Sequence, residues 1–191
     1  MRRWWHSADV LRWRVRALLW WGRRAQALAL LQRARALHPG DAHLLATLAH
    51  LLAEAGRLAE AAPLLDELVA LQPDAAAHWF NRGYVLEQLG HAQAAEASFR
   101  RAVALDPRLD RAWYGLGLTL IAQGRLDEAL QALQRNTELQ PMSPYAWYQM
   151  ARIHADRAET EQARRIIRHL QGFEPKVAAQ LVRETGLQPM G

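Results

Sequence analysis

The chain has no cysteine, so no disulfide can staple its core and no thiolate can ligate a metal. Long apolar runs are also missing. The longest uncharged stretches, such as 42–53, hold about a dozen residues, against the roughly 20 needed to span a bilayer. Near the N-terminus the apolar run 17–21 is too short for a secretory signal and is followed by Arg23-Arg24. The expected compartment is therefore the cytoplasm. There is no glycine-rich phosphate loop. The eight histidines are scattered; His43 and His50 share a helical face with His38 upstream, but no acid joins them at metal-ligand spacing. No serine is placed near a histidine in a way that suggests a nucleophile. Neither catalytic residue nor cofactor, metal or small-molecule substrate is expected, and the chain reads as non-enzymatic.

Lysine is nearly absent too, with Lys176 the single one among 24 basic residues. The net charge of +5 is uneven. Residues 1–40 carry nine arginines and one acid, Asp9, giving +8, so the rest of the chain is slightly acidic. Such a balance raises nucleic acid or an anionic membrane surface as partners, and both rank below a protein here.

What the chain does have is a step of 34 residues. Gly22, Gly56, Gly90 and Gly124 fall in register, with Ala158 taking the last place. Ala27, Ala61, Ala95, Ala129 and Ala163 form a second series, and Pro39, Pro73, Pro107, Pro141 and Pro175 a third. Trp79, Trp113 and Trp147 form a fourth. Between these marks the apolar residues recur at three- and four-residue steps, as in Trp113, Leu116 and Leu120, then Leu126, Leu130 and Leu133. Each window thus holds two amphipathic helices separated by a turn at glycine, or at Ala158 in the last, and ended by a proline. Five windows run without insertion: 8–41, 42–75, 76–109, 110–143 and 144–177. Residues 1–7 form a basic, aromatic lead-in, and 178–191 a C-terminal capping helix and tail. One helix pair cannot bury both apolar faces, so neighbours must stack.

Two residues break the pattern. Pro63 lies inside the second helix of its window, where it is either tolerated in the first turns or kinks the helix. Asn136 stands in a column of Ala and Leu, and a local hydrogen bond is expected for its amide.

The period and the Trp, Leu-Gly, Ala and Pro columns resemble the tetratricopeptide repeat (TPR) family, most fully at Trp113, Leu116-Gly117, Ala129 and Pro141. The resemblance implies an all-α fold: a right-handed α-solenoid of five helix–turn–helix repeats plus a C-terminal capping helix. It also implies a scaffold, adaptor or assembly factor that binds other proteins, as in a subunit of a larger complex. In the family the first helices line a concave groove, and the matching positions here include His50, Phe80, Tyr84, Arg111, Tyr114, Leu118, Ile121, Tyr145, Tyr148 and Arg152. The pairs Phe80–Tyr84, Tyr114–Leu118 and Tyr148–Arg152 are each four apart and so share a face. Such a groove suits an apolar or amphipathic segment of a partner. The family's carboxylate clamp is not matched, since Thr47, His50, Asn81 and Tyr84 occupy the corresponding positions.

A second interface is expected at the N-terminal end, from Trp4, Trp5, Arg12, Trp13, Arg16 and Trp20. Trp13 and Trp20 are seven apart, on one helical face. Two uses are open: a cap in which Trp4 and Trp5 fold back over the first repeat, or a docking surface, for a second copy or another subunit. A peripheral membrane or nucleic-acid role through this basic region is the alternative function.

Overall fold

A computed structural model describes residues 8–188. Trp4 and Trp5, with the rest of 1–7, lie outside the described residues. Those described form eleven α-helices and no strand: α1 (Ala8–Trp20), α2 (Arg24–Leu37), α3 (Ala42–Glu54), α4 (Leu58–Leu71), α5 (Ala76–Gln88), α6 (Ala92–Leu105), α7 (Asp110–Ala122), α8 (Leu126–Leu139), α9 (Pro144–Asp156), α10 (Thr160–Gln171) and α11 (Pro175–Thr185). The fold class is all-α. None of these helices is long and apolar enough to cross a membrane.

The turn inside each pair follows from one backbone requirement. Gly22, Gly56, Gly90 and Gly124 all have φ between 69° and 78°, and Ala158 has φ 58°. This left-handed residue lets the next N–H reach back five residues, as Arg57 N–H does to Leu52 O at 2.9 Å and Arg125 N–H to Leu120 O at 3.0 Å. Carbonyls at the helix end, which have no helical partner, are thereby satisfied. Ala158 makes the same turn, Glu159 N–H to His154 O at 2.8 Å, and pays the Cβ penalty of that region, about 1 kcal/mol.

The chain divides into two compact units, residues 1–105 and 106–191. In the first, successive helices α1 to α6 pack on one another, with α3 on α4 and α5 on α6 the most extensive contacts. Leu31, Leu45, Leu64, Leu68, Val85 and Phe99 are almost completely buried. In the second, α7 packs on α8, α8 on α9 and α9 on α10, while α11 touches both α9 and α10. Leu120, Leu133, Ile167, Leu170 and Leu181 fill that core. The alanine series Ala27, Ala61, Ala95, Ala129 and Ala163 is fully buried. A longer side chain there would push the paired helices apart.

The tryptophan and proline columns turn out to be bonded to each other. Trp79 Nε1 donates to Pro73 O at 2.8 Å, Trp113 Nε1 to Pro107 O at 2.9 Å and Trp147 Nε1 to Pro141 O at 2.9 Å. Each indole so ties the start of a first helix to the turn before it and satisfies its own polar atom. Asn136 differs from the expectation of a local bond. Its amide donates across the pair, to Asp110 O on α7 at 2.8 Å, because α8 packs on α7 and carries the amide to that carbonyl. Pro63 is tolerated: α4 continues through it, with its ring at the exposed surface. The capping helix begins at Pro175, before the expected 178, because proline's fixed φ suits the first helical position.

Arg12 is turned inward. Its guanidinium donates to Asp41 at 2.8 Å and reaches Asp9 at 3.5 Å. Asp41 is also the N-cap of α3, accepting from His43 N–H at 3.0 Å and Leu44 N–H at 3.2 Å. Burial works to raise the pKa of this carboxyl, but the Arg12 hydrogen bond and the two backbone donors outweigh it and hold it below the usual range. A lowered folded pKa stabilises above the unfolded value near 4, and that stabilisation is lost as pH falls through the folded value. Asp41→Ala is therefore expected to cost about 1–2 kcal/mol at neutral pH. The gap to wild type should shrink as pH drops below about 4. Urea titrations at neutral and acid pH measure it; a gap independent of pH would contradict the ion pair.

Candidate functional site

In the second unit the first-helix faces of α7 and α9 bring three tyrosines together. Tyr114 and Tyr145 have ring centroids 6.4 Å apart and planes inclined by 58°. Tyr148, one turn further along α9, donates its hydroxyl to Glu184 of α11 at 2.7 Å. The Arg152 guanidinium lies 5.9 Å over the Tyr148 ring, a cation–π contact. Gln180 fixes the other Glu184 oxygen at 2.8 Å. Tyr114, Tyr145 and Tyr148 line an open cavity of about 280 Å³ with Pro144 and Gln149, and Val177 and Gln180 of α11 form its third side. A neighbouring hollow of about 330 Å³ lies between Arg152, Ala155 and Asp156 of α9 and Glu184 and Thr185 of α11.

The electrostatics hold Tyr114 and Tyr148 neutral and Glu184 ionised. Burial raises the Tyr114 pKa, offset in part by its hydrogen bond with Gln149. The bond to Glu184, with some burial, raises that of Tyr148, while Arg152 works against it. Glu184 is lowered by its bonds from Tyr148 and Gln180 and by the nearby Arg152. The cleft therefore offers phenol rings, an amide and the Glu184 carboxylate beside the Arg152 guanidinium. Phenol rings present apolar faces and edge hydroxyls, so such a cleft can receive apolar side chains and backbone amides. Among the described residues no cluster of three or more histidines and acids could hold a metal.

The other groove positions are distributed differently. Arg111 is exposed on α7, and Leu118 and Ile121 are half-buried along the same helix. In the first unit Tyr84 of α5 is 49% exposed. His50 is exposed on α3, 3.5 Å from Glu54. Phe80 turns toward the second helix of its own repeat, with its ring 6.0 Å from that of Phe99. At the N-terminal end Trp13 and Trp20 are 68% and 87% exposed and Arg16 is exposed.

Sequence reasoning missed the contribution of α11. Val177, Gln180 and Glu184 follow a three- and four-residue step that could have marked one face, but the expected start at 178 left Val177 outside the helix. It also missed Arg82, which joins three helices of the first unit. Arg82 binds Asp66 of α4 at 2.7 Å and Ser98 of α6 at 2.6 Å, and lies 5.9 Å from the Trp79 ring.

Family comparison bears directly on these repeats. One tetratricopeptide repeat model matches residues 46–110, and a second matches 86–147 and again 120–183. The chain belongs to the tetratricopeptide repeat family. Among solved structures, its TPR fold is similar to that of YrrB, described as a TPR protein with an unusual peptide-binding site. That match has a TM-score of 0.81 and 21% identity over 93% of each chain. It is similar as well to MamA from Desulfovibrio magneticus RS-1, at TM-score 0.77 and 21% identity over 93% of this chain and 96% of that one. A TPR protein from Parabacteroides merdae gives TM-score 0.81 and 20% identity, covering 93% of this chain and 73% of its own. No curated protein matches the sequence significantly.

Proposed function

We propose that this TPR protein is a non-enzymatic interaction scaffold whose α7–α9–α11 cleft holds an apolar or amphipathic segment of a partner protein. The observation that carries the reading is the cavity shared by Tyr114, Tyr145 and Tyr148, walled on its third side by Val177 and Gln180. Tyrosines bury large area at low entropic cost, and their hydroxyls serve the partner's backbone. The peptide-binding site named for YrrB supports the same use of such repeats. Tyr84 gives the first unit an exposed aromatic contact of its own.

Selection from a phage-displayed random-peptide library on the full chain should enrich sequences with spaced apolar anchors. Calorimetric titration of one enriched peptide should show binding weakened at least about tenfold by Tyr114→Ala with Tyr145→Ala, as removal of central aromatic contacts commonly does. An unchanged affinity in a variant with unchanged circular dichroism would remove the cleft from the binding site.

A further inference from the structure

The inner face of α1 is already occupied. Leu11 and Val15 are buried, and Leu18 and Leu19 pack against the first unit's core. The tryptophans of α1 and the Trp21 that follows it are not part of that packing: Trp13, Trp20 and Trp21 are 68%, 87% and 68% exposed. Trp13 and Trp20 stand two turns apart on one face, and Arg16 is on that side between them. Arg14 and Arg23 are exposed nearby. Arg12, Arg24 and Arg35 are paired with Asp41, Glu54 and Glu67. Among the described residues Arg14, Arg16 and Arg23 have no such acid. Asp9, on the tryptophan side, is drawn to Arg12.

We propose that this outer face of α1 docks on an anionic lipid bilayer. Trp13, Trp20 and Trp21 would enter the headgroup layer, and Arg14, Arg16 and Arg23 would contact lipid phosphates. Three features select this occupant. A helix of 13 residues with tryptophans and arginines outward is built to lie in a membrane interface, where the indole meets both apolar and polar surroundings. The rings stand out from the surface, and a deformable headgroup layer accommodates protruding side chains that a rigid partner could receive only in matching pockets. A second copy is disfavoured by charge, since residues 1–40 carry +8 and would meet themselves. The proposal is independent of the tyrosine cleft, which lies on other helices.

Flotation of the full chain with phosphatidylcholine vesicles, with and without phosphatidylglycerol, at low and high salt, tests it. The expected result is association with the anionic vesicles alone, reversed by salt. Replacing Arg14, Arg16 and Arg23 by Gln should weaken partitioning about a hundredfold. Replacing Trp13, Trp20 and Trp21 by Ser should weaken it at least tenfold, with the fold intact because all three are exposed. Quenching of the wild-type tryptophan fluorescence by brominated lipid gives the same answer without substitution. No flotation at low salt, no quenching, or full partitioning of the Trp variant would overturn the proposal. So would a DNA mobility shift, lost in the Arg variant, in a chain that ignores vesicles; that outcome assigns the face to nucleic acid.

Discussion

Phe99→Ala should lower stability by about 3–5 kcal/mol, the range for emptying an aromatic site in a packed core. Phe99 is 1% exposed on α6. Its ring fills the space left by the missing side chain of Gly83, where a Cβ would lie 2.8 Å from Cδ1, and its other neighbour is Phe80 at 6.0 Å. Gly83 and Phe80 both belong to α5, so the ring packs between the two helices of its repeat. Truncation leaves a hole that glycine cannot close and removes the support of Phe80. Because repeat stability is a sum of local and nearest-neighbour contributions, the loss should appear as early melting of the first unit. Urea unfolding followed by circular dichroism, with hydrogen exchange to locate the loss, measures it. A change under 1 kcal/mol would mean that α5 and α6 close over the gap.

Gly117→Ala is the second large effect, and its sign depends on one neighbour. Alanine in a helix interior is favoured over glycine by about 1 kcal/mol. Against that, the new Cβ would stand 2.8 Å from both Cγ and Cδ2 of Leu133. Leu133 is fully buried on α8. The contact involves Cγ as well as the chain tip, so a rotamer change alone cannot relieve it and the helices must separate. Overpacking of this kind costs about 1–3 kcal/mol, so the net effect is a loss of up to about 2 kcal/mol. In a Leu133→Ala background the obstacle is gone, and Gly117→Ala should become neutral or stabilising. A double-mutant cycle by denaturant titration reads this reversal. Equal effects in both backgrounds would show that the close approach to Leu133 does not govern the position.

The candidate site was legible in outline. Tyr148 and Arg152 could be placed on one face from their spacing, because helical periodicity is a local property of the chain, and Tyr114 and Tyr145 came from the resemblance to the family's groove positions. What each side chain meets is not local. Phe80 has the same repeat position as Tyr114 and Tyr148, yet it faces Phe99 across its own helix pair. Tyr148 acquires its partner Glu184 from 36 residues away. Arg12 looks like a free surface cation in sequence and becomes the counter-ion of a helix cap.

The sequence by itself determined the all-α class, the paired helices and the turns between them. These follow from residue types acting on their own backbone: glycine at positive φ, proline without an N–H, alanine where helices cross, and apolar residues at helical steps, each repeated in phase. Only the tertiary structure decided that the Trp and Pro columns are hydrogen-bonded to each other, that Asn136 binds across to α7, and that α11 completes the tyrosine cleft. Those outcomes depend on the direction of side chains and the approach of helices distant in sequence. Periodicity names the face a residue occupies; packing selects the atom it meets.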